Sequence, residues 1–113
     1  MIQERLQALL APLASGGSYP NIAEQGAVPP YLVYQRIISL TNNHLQGPSD
    51  LQNTRVQIDA YARSYAGAQQ LAADVRAALQ GAAFSNVQIS EQDFFEMDVR
   101  LHRVSLDYSI WAT

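Results

Sequence analysis

The sequence predicts an α+β fold: a single two-layer domain over residues 1–113, with a mostly antiparallel sheet of four to five strands and two main helices. Three observations predict it. Apolar residues recur at helical spacing in two places, Leu6 to Leu13 and Ala68 to Leu79. Segments Leu32–Thr41, Thr54–Arg63 and the stretch from Val104 to Ala112 run apolar or alternate with the period of a strand. The period switches from 2 to 3.6 at one residue, Ser64, as it does where a strand feeds a helix that packs back on its sheet.

Residues 2–11 are the first helix, with Leu6, Leu9, Leu10 and Leu13 along one face. Pro12 clashes with the carbonyl four residues back and ends it. Ser15–Ser18, SGGS, reads as a flexible breaker. Residues 19–30 carry Tyr19-Pro20, Gly26 and Pro29-Pro30, so they cross in extended form with at most a short edge strand.

Leu32–Thr41 places Val33 and Ile37 on one face and Leu32, Tyr34, Ile38 and Leu40 on the other. Apolar groups on both faces put this strand inside the sheet. Residues 42–53 form a polar loop around Gly47-Pro48, long for a hairpin. Thr54–Arg63 alternates: Val56, Ile58, Ala60 and Ala62 face the core, and Arg55, Gln57, Asp59, Tyr61 and Arg63 face away. Ser64 caps the second helix, which buries Ala68, Leu71, Ala72, Val75 and Leu79 and ends at a C′ glycine, Gly81.

The last third is a long hairpin. Val87, Ile89, Phe95 and Met97 share one phase, broken by Glu91 and Asp93, and Val104, Leu106, Tyr108, Ile110 and Ala112 share the phase of the final strand. The turn falls near Asp98 to His102, without the glycine or proline that would mark its position.

Composition narrows the function. With 48% hydrophobic residues the chain is not a disordered segment, and with no cysteine it has neither disulfides nor thiolate metal sites. No signal peptide or membrane span is visible, so a soluble protein of the cytoplasm where it is made is expected, without a membrane partner. All seven positive charges are arginine. Arginine suits protein interfaces and fixed ion pairs, though the bias of a GC-rich genome explains the same count. A net charge of −3 with scattered arginines lacks the basic stripe of a nucleic-acid binder.

No catalytic constellation emerges. His44 and His102 are far apart and outside any ligand motif, and there is no G-x-S-x-G elbow. SGGS lacks the lysine of a phosphate loop. Glu91, Asp93, Glu96 and Asp98 lack the spacing of a calcium loop and read as a solvated face rather than a glycosidase pair. The expectation is no enzyme, no cofactor and no metal. Three aromatics are out of phase with the core: Tyr61 among Arg55, Asp59 and Arg63, Phe94 beside Phe95, and Trp111 beside Ile110. Exposed aromatics among polar neighbours compose an interface, and Tyr61, Phe94, Trp111, Glu91 and Asp93 are the candidate interface residues. The other reading is that segment 19–30 or the first helix covers the aromatics.

In order along the chain stand a leucine helix, Tyr19-Pro20 after a glycine break, P-Y-L-V-Y-Q from Pro30, and R-V-Q-I-D-A-Y-A from Arg55. S-Y-A-G-A-Q-Q-L-A from Ser64, V-R-A-A-L from Val75, and R-V-S-L-D-Y-S-I-W from Arg103 follow. Over nearly the whole length this resembles the tail-completion, or tail-terminator, family of long-tailed bacteriophages and prophages. The resemblance implies a structural virion protein of the tail, made in the bacterial cytoplasm. It implies a homo-oligomeric ring, typically a hexamer, on the head-proximal end of the tail tube. The ring stops tube polymerisation and docks to the head–tail connector protein, so its partners are the tail tube protein and the connector. No sequence-specific DNA binding is implied, although DNA passes through such a ring, and acidic character would suit that passage. Two other readings stay open: another head–tail connector or minor tail component, and a small-ligand-binding α+β domain.

Overall fold

A computed structural model describes residues 2–23, 26–41 and 52–112. The elements are α1 (Ile2–Leu10), β1 (Ser18–Pro20), β2 (Tyr31–Thr41), β3 (Gln52–Ala62), α2 (Tyr65–Gln80), β4 (Ser85–Glu96) and β5 (Leu101–Ala112). The sheet order is β1-β2-β3-β5-β4. The short β1 runs parallel to β2, and all other pairs are antiparallel. The fold is thus α+β, a mostly antiparallel mixed sheet with two main helices, as the periodicities predict. β5 inserts between β3 and β4, so β3, α2 and β4 form a crossover unit split by a strand.

Both helices cover the same sheet face. α1 contributes Leu6 and Leu10, and α2 contributes Ala68, Leu71, Ala72, Val75 and Leu79. The sheet meets them with Leu32 and Tyr34 from β2, Val56 to Ala62 in alternation from β3, and Val104 to Ile110 in alternation from β5. Pro12 falls in a single 3-10 turn, Ala11–Leu13, that closes α1, and Leu9 and Leu13 pack at the margin of the core. The Ser64 hydroxyl accepts from the Gly67 amide at 3.0 Å, which caps α2 as expected. Small side chains at Ala68 and Ala72 let α2 lie close to the sheet, where both are fully buried.

Six local expectations are corrected. SGGS is a packed turn and not a flexible breaker: the Gly16 amide donates to the Pro30 carbonyl at 2.8 Å, and Leu32 donates to Gly17 at 3.0 Å. A Cβ on Gly16 would lie 1.8 Å from the Val28 carbonyl oxygen, so the close approach of two backbones requires glycine there. β3 starts two residues early, at Gln52, and ends at Ala62. Gly81 ends α2 at φ −90°, a conformation that any residue adopts, so it is not a left-handed cap. The register of β2 shifts between Arg36 and Ile38. Beyond the shift the backbone of Ile38 pairs with Arg55 and that of Leu40 with Asn53, so the strand does not keep one register from Leu32 to Leu40.

A second register shift, between Gln88 and Ser90, resets β4 and breaks the shared phase of Val87, Ile89 and Phe95. Phe95 and Met97 keep 47% and 77% of their surface exposed and are not core. Finally, the hairpin turn is Met97–Arg100, and Arg100 takes the left-handed position at φ 56° that glycine would normally fill. Residues 42–51 of the expected polar loop, with His44, lie outside the described residues.

Candidate interaction surface

The sheet face opposite the helices is built by the alternate residues of the same strands, and it is aromatic and ionic. Tyr31 of β2 stacks on Tyr61 of β3 with ring centroids 5.0 Å apart, and Tyr19 meets Tyr31 edge-on at 6.2 Å. Register places Arg103 of β5 between Tyr61 and Phe94. Its guanidinium lies 4.3 Å from the Phe94 ring centroid. Arg103 Nη1 is 3.5 Å from Asp59, and Nε is 2.8 Å from Glu96, an ion pair in which Nε lacks the alignment of a hydrogen bond.

Asp59 is 5% exposed although it points away from the helices. Its two oxygens accept from the Gln57 amide at 3.1 Å, and with Arg103 this satisfies a carboxylate that burial would otherwise penalise. Further along, Arg55 grips Asp107 through two hydrogen bonds at 2.5 and 3.3 Å, and Asn53 donates to Ser109 at 2.7 Å. The alternation in β3 therefore does not divide buried from solvated residues. It divides an apolar face from a face of paired polar groups.

This environment shifts the tyrosines. Burial raises the Tyr61 hydroxyl above its usual range, and the Asp59 carboxylate adds to the rise. Burial also raises Tyr31, with the Tyr19 hydroxyl adding to it. The Arg55 guanidinium is held charged more firmly by its hydrogen bonds to Asp107.

Of the residues singled out from sequence, Tyr61 and Phe94 are brought together, one on each side of Arg103. Trp111 shares their face but sits beside Asn53 and Ser85, eight residues along β5 from Arg103, about 27 Å at strand rise. Segment 19–30 reaches Tyr31 through Tyr19, and Phe94 remains 39% exposed.

Glu91 and Asp93 stand in the phase of the helix-covered side, paired with Leu106 and Val104. Glu91 pairs with Arg76 of α2, and Asp93 accepts from Gln69 at 3.0 Å and from Tyr65 at 3.5 Å. Of the four acids expected to be a solvated face, Glu91, Asp93 and Asp98 are exposed, and Glu91 and Asp93 also tie β4 to α2. His102 also has neighbours, Phe95 at 4.9 Å and Tyr65 at 6.0 Å, both edge-on.

Sequence reasoning set Val87 and Ile89 in one phase with Phe95 and did not single out Val99, and Val87, Ile89 and Val99 are all exposed along β4 and its turn. The unbroken apolar-polar mixture of Ser85–Glu96 is the only signal, because a bulge leaves no mark in composition. An open cleft of about 510 Å³ lies at the base of the hairpin, lined by Ile22, Tyr31, Val33, Tyr61, Glu96 and Asp98 among others. Its described lining holds no serine, cysteine, histidine or lysine, and Glu96 is engaged by Arg103. Among the described residues no group of three histidines or carboxylates could hold a metal ion.

The family described as "Tail completion protein gp17" matches residues 3–113. The chain belongs to this family. No individually curated protein matches it. Among solved structures, a chain of the "Virion of native gene transfer agent (GTA) particle" is similar in fold, with a TM-score of 0.60 and 17% identity. The match covers 97% of this chain and 88% of that one. As a tail-completion protein, the chain has a structural role in the assembly of the phage tail, and its place is the tail of the virion. A structural family accounts for a surface made of paired side chains rather than a reactive site.

Proposed function

We propose that this tail-completion protein, acting as one folded unit over residues 1–113, assembles as a hexameric ring on the head-proximal end of the tail tube. There it ends tube polymerisation and offers the docking surface for the head–tail connector. The family match over residues 3–113 carries this reading. Its physical support is a sheet with one face sealed by helices and the other left open. Such a subunit can meet the tube, the connector and its own copies while its core stays shut. Tyr61, Phe94 and Trp111 on the open face, with Glu91 and Asp93 on β4, are the contacts proposed. A net charge of −3 lets DNA pass without adhering.

Particles lacking the gene test it. The expected result is tails of abnormal length and heads without tails, with the protein labelled at the head-proximal end of normal tails. Label at the distal tip, or tails of normal length joined to heads in the deletion, would reject the reading.

A further inference from the structure

We infer that the ring closes by strand addition, with the outer edge of β4 in one copy pairing with the outer edge of β2 in the next. This rests on the ring reading and names the contact that builds it. β4 runs twelve residues, Ser85–Glu96, and among the described residues only β5 pairs with it. Monomeric proteins blunt such edges with charged residues, lysine above all, with proline, a bulge or a cover. β4 carries a bulge at Ile89 and three acids but no lysine, proline or described cover, and it exposes Val87, Ile89, Phe94 and Phe95. At the other end of the sheet, β1 covers β2 only from Leu32 to Tyr34. Gln35–Thr41, about 23 Å of strand, has no described partner on that side.

Direction and charge select the occupant. β2, β3, β5 and β4 alternate in direction across the sheet. A head-to-tail repeat therefore sets β4 antiparallel to the β2 of the next copy, which continues the alternation without a break. The charged residues of β4 are Glu91, Asp93 and Glu96, and that of β2 is Arg36, which is exposed. A two-fold β4–β4 contact would oppose acid to acid, whereas β4 against β2 sets acids against an arginine. A head-to-tail contact of unlike surfaces is also the kind that closes into rings. One such edge is short of a standard interface of about 1,600 Å², so the free protein stays monomeric and pairs once the tube holds copies side by side.

The chain has no cysteine, so the only thiols it carries in the test are the introduced ones, followed by a label on this protein. Gln35 and Gln92 are both exposed, and register puts both on the open face, opposite Gln57 and Ser105. Particles carrying Gln35→Cys together with Gln92→Cys, treated with a flexible bismaleimide, should give a covalent ladder up to the full ring. Either single variant should give none. If the double variant does not enter particles, Gln35→Cys with Ser90→Cys repeats the test from the same face. Dimers from Gln92→Cys alone would mean that β4 pairs with β4, and would overturn the inference. So would the absence of any product from a double variant located at the head-proximal end, a result that leaves the ring itself standing. Protein located elsewhere on the particle would remove both.

Discussion

Phe94 has one face under the Arg103 guanidinium and 39% of its surface in water. Phe94→Ser should lose one exposed cation–π contact and part of a ring's burial, about 1 kcal/mol by denaturant unfolding. Leu106→Ala, fully buried on the neighbouring strand, should lose about 2–5 kcal/mol in the same measurement. A Phe94→Ser loss as large as that of Leu106→Ala would mean the ring is core, and would shift the search for contacts away from this face. At Gly16 the backbone of residues 28–30 leaves no room for a side chain. Gly16→Ala must separate the two segments and break the bond to Pro30, so it should cost about 2 kcal/mol or more, read as a lower thermal midpoint. Its expected effect exceeds that of Ser64→Ala, which removes one helix cap worth about 1 kcal/mol.

At the scale of elements, α2 is held in two ways. Its alanine face sits directly on β3 and β5, and its polar flank reaches β4 through Arg76–Glu91 and Gln69–Asp93. Both partners of the ion pair are about one-third exposed, so screening leaves it under about 1 kcal/mol. Ala72 has no exposed surface. Ala72→Leu should therefore push α2 off the sheet and destabilise by about 1–3 kcal/mol, while Glu91→Gln should change unfolding by less than 1 kcal/mol. Denaturant titration of the two variants side by side checks the order. These elements were legible because their signals are local: an apolar stripe at helical spacing, a serine at the strand end, strict alternation in β3 and β5. β4 was not, because one extra residue at Ile89 resets every position before it relative to every position after it. The Gly16 turn was misread for a related reason, since composition marks a glycine pair but not the backbone pressed against it.

For the whole molecule, the tyrosines make stability depend on pH at the alkaline end. Burial raises Tyr31, Tyr34, Tyr61 and Tyr108 above the ordinary value of 10.0. The folded chain then holds protons that the unfolded chain has already released, so stability is complete below pH 10.0 and is lost as pH rises through the folded values. Thermal midpoints measured from pH 8 to pH 11 should stay level at first and fall from about pH 10. A midpoint that rises over the upper part of that range would contradict the buried state of these hydroxyls. Among the described residues the same molecule presents an open face and two strand edges without a partner.

By itself the sequence determined the α+β class, the two helices, the core residues of β3, α2 and β5, and the tail-completion resemblance. Each of these rests on residue order, which periodicity and motif spacing record directly. Tertiary structure alone decided the rest. It paired Asp59 and Arg103 across strands, turned Glu91 and Asp93 toward α2, drew Phe94 beneath Arg103, and left β4 at the edge. The physical reason is that strand order and bulge position are set by contacts between residues far apart in the chain. No local pattern says which strand will be a neighbour or which face a side chain will take once the register has shifted.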